Sequence, residues 1–157
     1  MADSADSAGV RFPPPLVFLG LLLLGLAAER LTGRLSFGLG RTVALAAGAA
    51  LVVAGLALIL AAAGRFRRAG TRPEPWQPST ALVAAGVYRF TRNPMYLGMA
   101  LVHAGLAFAF DGPLALAALP LALLVIDAQV IAREERYLEA KFGEAYRAYR
   151  QRVRRWL

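Results

Sequence analysis

Apolar residues in this chain come in four blocks, and the polar residues gather between them. Leu16 to Ala28 is the first block, led in by Pro13-Pro14-Pro15. It predicts a helix over roughly Phe12 to Ala28, at the short end of spanning length. Val43 to Ala63 is the clearest block, rich in alanine, leucine and valine and free of charge. As a helix it is about 30 Å long, and Gly48 and Gly55 would let a neighbouring helix approach closely. Met95 to Phe110 is the third block. Asp111-Gly112-Pro113 is a tight turn signal, so the third block forms a helical hairpin with the fourth, Leu114 to about Ala132. The fourth is interrupted by Pro120 and turns polar at Asp127 and Gln129. Its helix is expected to continue through Arg133 to Phe142 and to stop at Gly143. A last short helix, Glu144 to Val153, places Tyr146, Tyr149 and Val153 on one face. Residues 1–12 are small and polar with no apolar period, and are expected to be a disordered tail. Two aspartates and only Arg11 precede the first block, which argues for a retained helix over a signal peptide.

This pattern predicts an all-α integral membrane protein. About four transmembrane helices form a single domain over residues 13–157, and a C-terminal helical extension closes over a pocket. Composition agrees: of 157 residues, 58% are hydrophobic, and the mean hydropathy is +0.51. The net charge of +8 is unevenly spread. The stretch from Gly64 to Pro94 carries six arginines against Glu74, and the tail after Ala132 carries seven arginines and Lys141 against four glutamates. The other two connections hold Arg30, Arg34 and Arg41 with Glu29, and a lone Asp111. Basic connections stay on the cytoplasmic side. Both termini are therefore expected in the cytoplasm, with anionic lipid rather than nucleic acid as the basic surface's partner. The alanine- and arginine-rich usage points to a high-GC bacterium, hence to its inner membrane.

That orientation brings two polar clusters, 86–96 and 133–150, to one face. The first is Gly86-Val87-Tyr88-Arg89-Phe90-Thr91-Arg92-Asn93-Pro94-Met95-Tyr96, at the point where a proline-rich loop becomes an apolar helix. Polar groups held at a membrane surface serve either as a ligand site or as an interfacial anchor. In the second cluster Asp127 and Glu134 lie seven apart and are expected on one helix face, with Glu135 a third of the way round. Carboxylates beside aromatics suit a cationic ligand, although a solvated face with i, i+4 contacts needs none. There is no cysteine and one histidine, so no standard metal set is available and no metal is expected. His103 reads either as a packed intramembrane residue or, with Met95 and Met99 at i, i+4, i+8 spacing, as part of a lateral opening to lipid.

The stretch Gly86 to Gly98 resembles the Gly-Pro-Tyr-x-x-x-Arg-His-Pro-x-Tyr-x-Gly signature of the isoprenylcysteine carboxyl methyltransferases. Glu134-Glu135-x-x-Leu138, Lys141-Phe142-Gly143-Glu144-x-Tyr146-x-x-Tyr149 and Arg152-Val153 resemble that family's C-terminal signature. Together they cover residues 76–157. The resemblance implies a membrane enzyme that uses S-adenosyl-L-methionine and methylates a hydrophobic, lipid-like acceptor, most simply at a carboxylate. It implies cofactor contacts at Tyr88, Arg89, Asn93, Pro94, Tyr96, Glu134, Glu135, Tyr146 and Tyr149. It implies catalytic roles for Arg92 and Asn93, and the Met95, Met99 and His103 stripe is then expected to line the acceptor's way in from the bilayer. Two positions depart from the pattern: Val87 stands for proline and Asn93 for histidine. Asparagine cannot carry a proton near neutral pH, which removes a general base from that position. Phospholipid N-methyltransferases and NADPH-dependent sterol-reductase-like proteins share parts of the pattern, and a non-enzymatic membrane scaffold is a further alternative.

Overall fold

The structure is a computed structural model that describes residues 6–10, 12–33 and 35–157. Among them every regular element is helical. α1 spans Pro14–Thr32 and α2 spans Arg41–Arg68; a 3-10 turn at Gly86–Arg89 precedes α3, Pro94–Ala109. α4 (Pro113–Ala117), α5 (Leu119–Ile126), a π-helical turn at Asp127–Ile131 and α6 (Ala132–Phe142) follow one another, and α7 is Glu144–Arg152. α1, α3 and α4 start on Pro14, Pro94 and Pro113, where the absent N–H has no helical partner to lose. Gly33 ends α1 and Gly143 ends α6, both at positive φ.

Three helices are long and apolar enough to cross a membrane: Pro14–Thr32, Arg41–Arg68 and the continuous run Pro113–Phe142. The third expected span, α3, is apolar but only 16 residues long, about 24 Å. It is bounded by the Asn93-Pro94 start and by the turn at Asp111, which takes a positive φ of 52°. The Asp111 carboxylate accepts from Ser36 Oγ at 2.6 Å and from the Phe37 N–H at 2.9 Å, tying the two connections at that end together. α1 runs a turn beyond Ala28 because Glu29 is not a loop residue. It is buried, and its carboxylate accepts the Leu114 N–H at 2.6 Å, capping α4, which has no capping side chain of its own.

The expectation for residues 1–12 falls partly outside the described residues, at 1–5 and 11. Residues 6–10 have no regular structure, yet they pack: Val10 is buried, the Ala8 N–H donates to Pro75 O, and Asp6 pairs with Lys141 at 2.6 Å.

Small residues set the helix packing. On α2 the buried positions are Ala44, Gly48, Gly55 and Ala62, while Val43, Leu45, Val53, Leu56 and Leu60 face outward. Large apolar side chains outside and small ones inside is the arrangement of a helix solvated by lipid. α2 and α3 are antiparallel and touch backbone to backbone. A Cβ added at Gly48 would lie 2.6 Å from Gly105 O, and one at Gly55 would lie 2.5 Å from Gly98 O. α1 packs on α3, α4 and α5 on the opposite side. There His103 is buried, with Nδ1 3.1 Å from Phe18 O and Nε2 2.8 Å from Ala115 O, so it links α1, α3 and α4.

The seam makes a direct prediction. Gly55→Ala and Gly98→Ala should each destabilise the protein by about 1–3 kcal/mol, as overpacking does. Gly64→Ala, where a Cβ meets nothing, should be neutral or slightly stabilising. Thermal unfolding of the three variants in one detergent checks this.

Candidate functional site

The connection from α2 to α3 is shaped by two local constraints. Gly86 takes φ +65°, a conformation that favours glycine, and lies against the Arg65 guanidinium. Tyr88 then tucks inward, edge-on to Phe66 with ring centroids 5.6 Å apart, and its carbonyl accepts the Tyr149 hydroxyl at 2.8 Å. Thr91 Oγ1 accepts the Asn93 N–H at 3.1 Å, which holds the turn that leads into Pro94. α7 is thus joined to the 3-10 turn, and α3 begins beside the end of α2.

The same turn grips the C-terminal tail. Thr91 Oγ1 donates to Arg155 O at 3.1 Å, Asn93 Nδ2 donates to the same carbonyl at 2.9 Å, and the Arg92 N–H donates to Arg154 O at 2.9 Å. Arg92 Nη1 reaches the carbonyls of Arg150 and Val153 at 3.1 and 3.3 Å. Side chains complete the arrangement. Glu135 accepts from Arg92 Nη2 at 2.7 Å and from Arg155 Nε at 3.1 Å on one oxygen, and from Arg155 Nη2 on the other. Arg155 Nη1 also pairs with Asp127 at 3.0 Å, and Trp156 Nε1 donates to the second Asp127 oxygen at 3.2 Å. Two arginines and two carboxylates form one neutral cluster in a partly buried place. Charge-assisted bonds of this kind hold their partners in fixed geometry.

Beside this cluster lies a cleft of about 100 Å³. Its walls come from the 66–83 connection, the 88–96 stretch, α6 and α7, with Ala8 at the edge. Tyr88, Arg92, Asn93, Met95, Tyr96, Glu134, Glu135, Tyr146 and Tyr149 all line it. The two glutamates differ in state. Glu135 is consumed by the two arginines. Glu134 accepts only the Tyr96 hydroxyl, at 2.6 Å on Oε1, and its other oxygen has no protein partner among the described residues. Arg92 Nε is a buried donor with no partner among the described residues. Burial pushes the Tyr146 phenol up to about 12 and raises Tyr88 and Tyr149 as well, so all three hydroxyls stay protonated at neutral pH. The cleft therefore presents one open carboxylate oxygen and several aromatic faces, and Arg92 Nε lies buried and unpaired in its wall among the described residues. That is a donor set for a zwitterionic or cationic ligand.

Several residues lie elsewhere than the sequence reading has them. Arg89 is exposed, and Pro94 is buried at the helix start; neither lines the cleft. Met99 packs against the core cluster around Tyr96, Ala100 and Ile126, and His103 is turned toward α1 and α4; neither lines the cleft or the groove near the start of α3. The apolar groove near the start of α3 instead runs along Leu97 and Ala100 to Pro120, Leu123 and Leu124, and ends at Asp127, Arg155 and Trp156. Asp127 and Glu134 do not share a face. The π turn between them is wider than an α turn, so seven residues no longer return to the same side. Asp127 faces the groove and Glu134 the cleft. The sequence reading missed Arg155, whose only signal is an arginine–tryptophan pair just past the aromatic face of the last helix. It also missed the cleft walls at Arg72, Ser79 and Tyr137; the Tyr137 hydroxyl accepts the Ser79 N–H at 2.9 Å.

Comparison with known proteins places this geometry in context. The family model described as phospholipid methyltransferase matches residues 43–145, which takes in α2 through the start of α7. An uncharacterized protein of Haemophilus influenzae is 46% identical over 63 residues, covering 40% of this chain and 100% of that protein. No solved structure matches the chain.

Removing Glu135 leaves two arginines facing one another. Glu135→Ala should destabilise the protein by roughly 2–3 kcal/mol, the low end of what breaking a buried pair costs, because Arg155 keeps 37% side-chain exposure. Glu139→Ala removes more exposed pairs with Arg147 and Arg150 and should cost under about 1 kcal/mol. Chemical denaturation of both variants measures the difference.

Proposed function

This chain belongs to the phospholipid methyltransferase family, and on that premise we propose that it transfers a methyl group from S-adenosyl-L-methionine to a hydrophobic acceptor entering from the bilayer. One observation carries the reading. Two segments far apart in sequence, 88–96 and 134–149, wall a single cleft whose unpaired groups are Glu134 and Arg92 Nε. S-adenosylmethionine has an α-ammonium, an α-carboxylate, a sulfonium and an adenosine. In this reading Glu134 holds the ammonium, Arg92 in the cleft wall offers its charge to the carboxylate, and the Tyr88, Tyr96 and Tyr146 faces suit the cationic and aromatic parts. When bound, the cofactor supplies an electrophilic methyl group on sulfur.

The chain's own contribution is then positioning. The Asn93 amide is engaged with the Arg155 carbonyl and takes no proton, so an acceptor that arrives already ionised fits best. A carboxylate meets that need, with rate coming from proximity and alignment. This matches the finer resemblance to isoprenylcysteine carboxyl methyltransferases. A second reading, methylation of a phospholipid amine, is favoured by the description of the matching family and by Glu134, a carboxylate able to bind an ammonium head. In both readings the cofactor enters from water at the cytoplasmic face, where the basic connections lie. The acceptor's tail lies in the groove along Leu97, Ala100 and Leu123.

Titration of the purified protein with S-adenosylhomocysteine should show saturable binding. Glu134→Ala should weaken it ten- to hundredfold, the value of a charge-assisted hydrogen bond of about 1.5–3 kcal/mol, with helix content unchanged. Binding of NADPH in its place, or of neither ligand, would overturn the reading. Incubation with isotopically labelled S-adenosylmethionine and bacterial membrane lipid separates the two acceptors. A label released by base as volatile methanol marks a methyl ester; a label that stays non-volatile after base marks an N-methyl group.

A further inference from the structure

We infer that Arg155 is the positioning residue of the cleft, and that Asn93 and Thr91 act on the cofactor site only through it. The inference rests on the methyltransferase reading for its consequence, and on the tail's contacts for its geometry. Arg155 sits at a junction. Its carbonyl is held by Thr91 Oγ1 and Asn93 Nδ2, and its guanidinium divides between Glu135, which lines the cleft, and Asp127, which lines the groove. Glu135 in turn orients Arg92, whose Nη2 it binds while Nε stays unpaired among the described residues.

The order of dependence follows from the bonds. Thr91 and Asn93 fix the Arg155 backbone, Arg155 fixes Glu135 on both oxygens, and Glu135 fixes the Arg92 guanidinium plane. Without Arg155, Arg92 keeps Glu135 as a single-contact partner and the carboxylate is free to rotate. Without Asn93, the tail loses one of the two side-chain donors to the Arg155 carbonyl. Lysine cannot replace arginine here, because three partner oxygens on two carboxylates are met by one planar fork. Asp127 ties the groove to the same fork, so a ligand drawing Asp127 away loosens Glu135 as well. Arg155 thus joins the two cavities mechanically: it lines the groove itself and reaches the cleft only through Glu135.

The test uses the full chain with Trp76→Phe, which leaves Trp156 as the single tryptophan beside Asp127. Its emission reports whether the tail is docked, and S-adenosylhomocysteine titration reports the cleft. Arg155→Lys should keep the emission of the docked tail but lower affinity about tenfold. Asn93→Ala should shift emission to the red and lower affinity by a similar factor. Its loss should largely vanish in the Arg155→Ala background, because both changes break one chain of contacts. Additive losses from Asn93→Ala and Arg155→Ala would show that Asn93 meets the ligand itself and would overturn the inference. So would wild-type affinity in Arg155→Lys, or unchanged emission in Asn93→Ala. If the parent protein binds no S-adenosylhomocysteine, the methyltransferase reading fails, and the emission of Asn93→Ala alone then decides whether the tail is held as described.

Discussion

Contact between the backbones of α2 and α3 is the constraint on which the rest depends. Glycine faces carbonyl oxygen at Gly48 and Gly105 and again at Gly55 and Gly98, seven residues apart on each helix. Lipid offers no hydrophobic gain for bringing helices together, so close packing and dispersion do that work. The seam fixes α3 in register with α2. Consequently the start of α3 lies beside the end of α2, where Arg65 packs on Gly86 and Phe66 on Tyr88. The 3-10 turn, the Asn93-Pro94 start and Tyr96 inherit their positions from a contact that itself carries no chemistry.

A second layer of constraint is electrostatic. Arg92, Arg155, Glu135 and Asp127 lie together with side-chain exposures between 10% and 37%. Charges so placed are costly unless each is paired, and here each is. The cluster stands between the cleft and the groove and borders both. It leaves Glu134 outside its network, so the one adjacent carboxylate with an open oxygen is aimed into the cleft. The π turn makes this division possible. By rotating Asp127 away from Glu134, it gives two acidic residues of one helix to two different cavities.

Much of this was legible in the chain. Uncharged runs marked the helices, Gly143 marked the end of α6, and the paired motifs located the walls of the cleft at Tyr88, Arg92, Tyr96, Glu134, Tyr146 and Tyr149. Much of what escaped the reading depends on backbone N–H and carbonyl groups far away in the chain or on departures from regular helix geometry. Asn93 binds the carbonyl of a residue 62 positions away, and no pattern of side chains announces that. His103 faces two carbonyls of other helices, and periodicity alone does not say which groups it packs against. The separation of Asp127 from Glu134 follows from a π turn that the residue types there do not demand. Glu29 looked like a loop charge because its partner, the first turn of α4, is 85 residues away.

The central claim is that the two motif segments build one binding cleft for S-adenosylmethionine. Ultraviolet cross-linking of methyl-labelled S-adenosylmethionine to the purified protein, followed by mapping of the labelled peptide, tests it most directly. A saturable label, competed by S-adenosylhomocysteine, is expected within residues 86–96 or 134–149. A label confined to α1, or one that excess S-adenosylhomocysteine fails to displace, would contradict it.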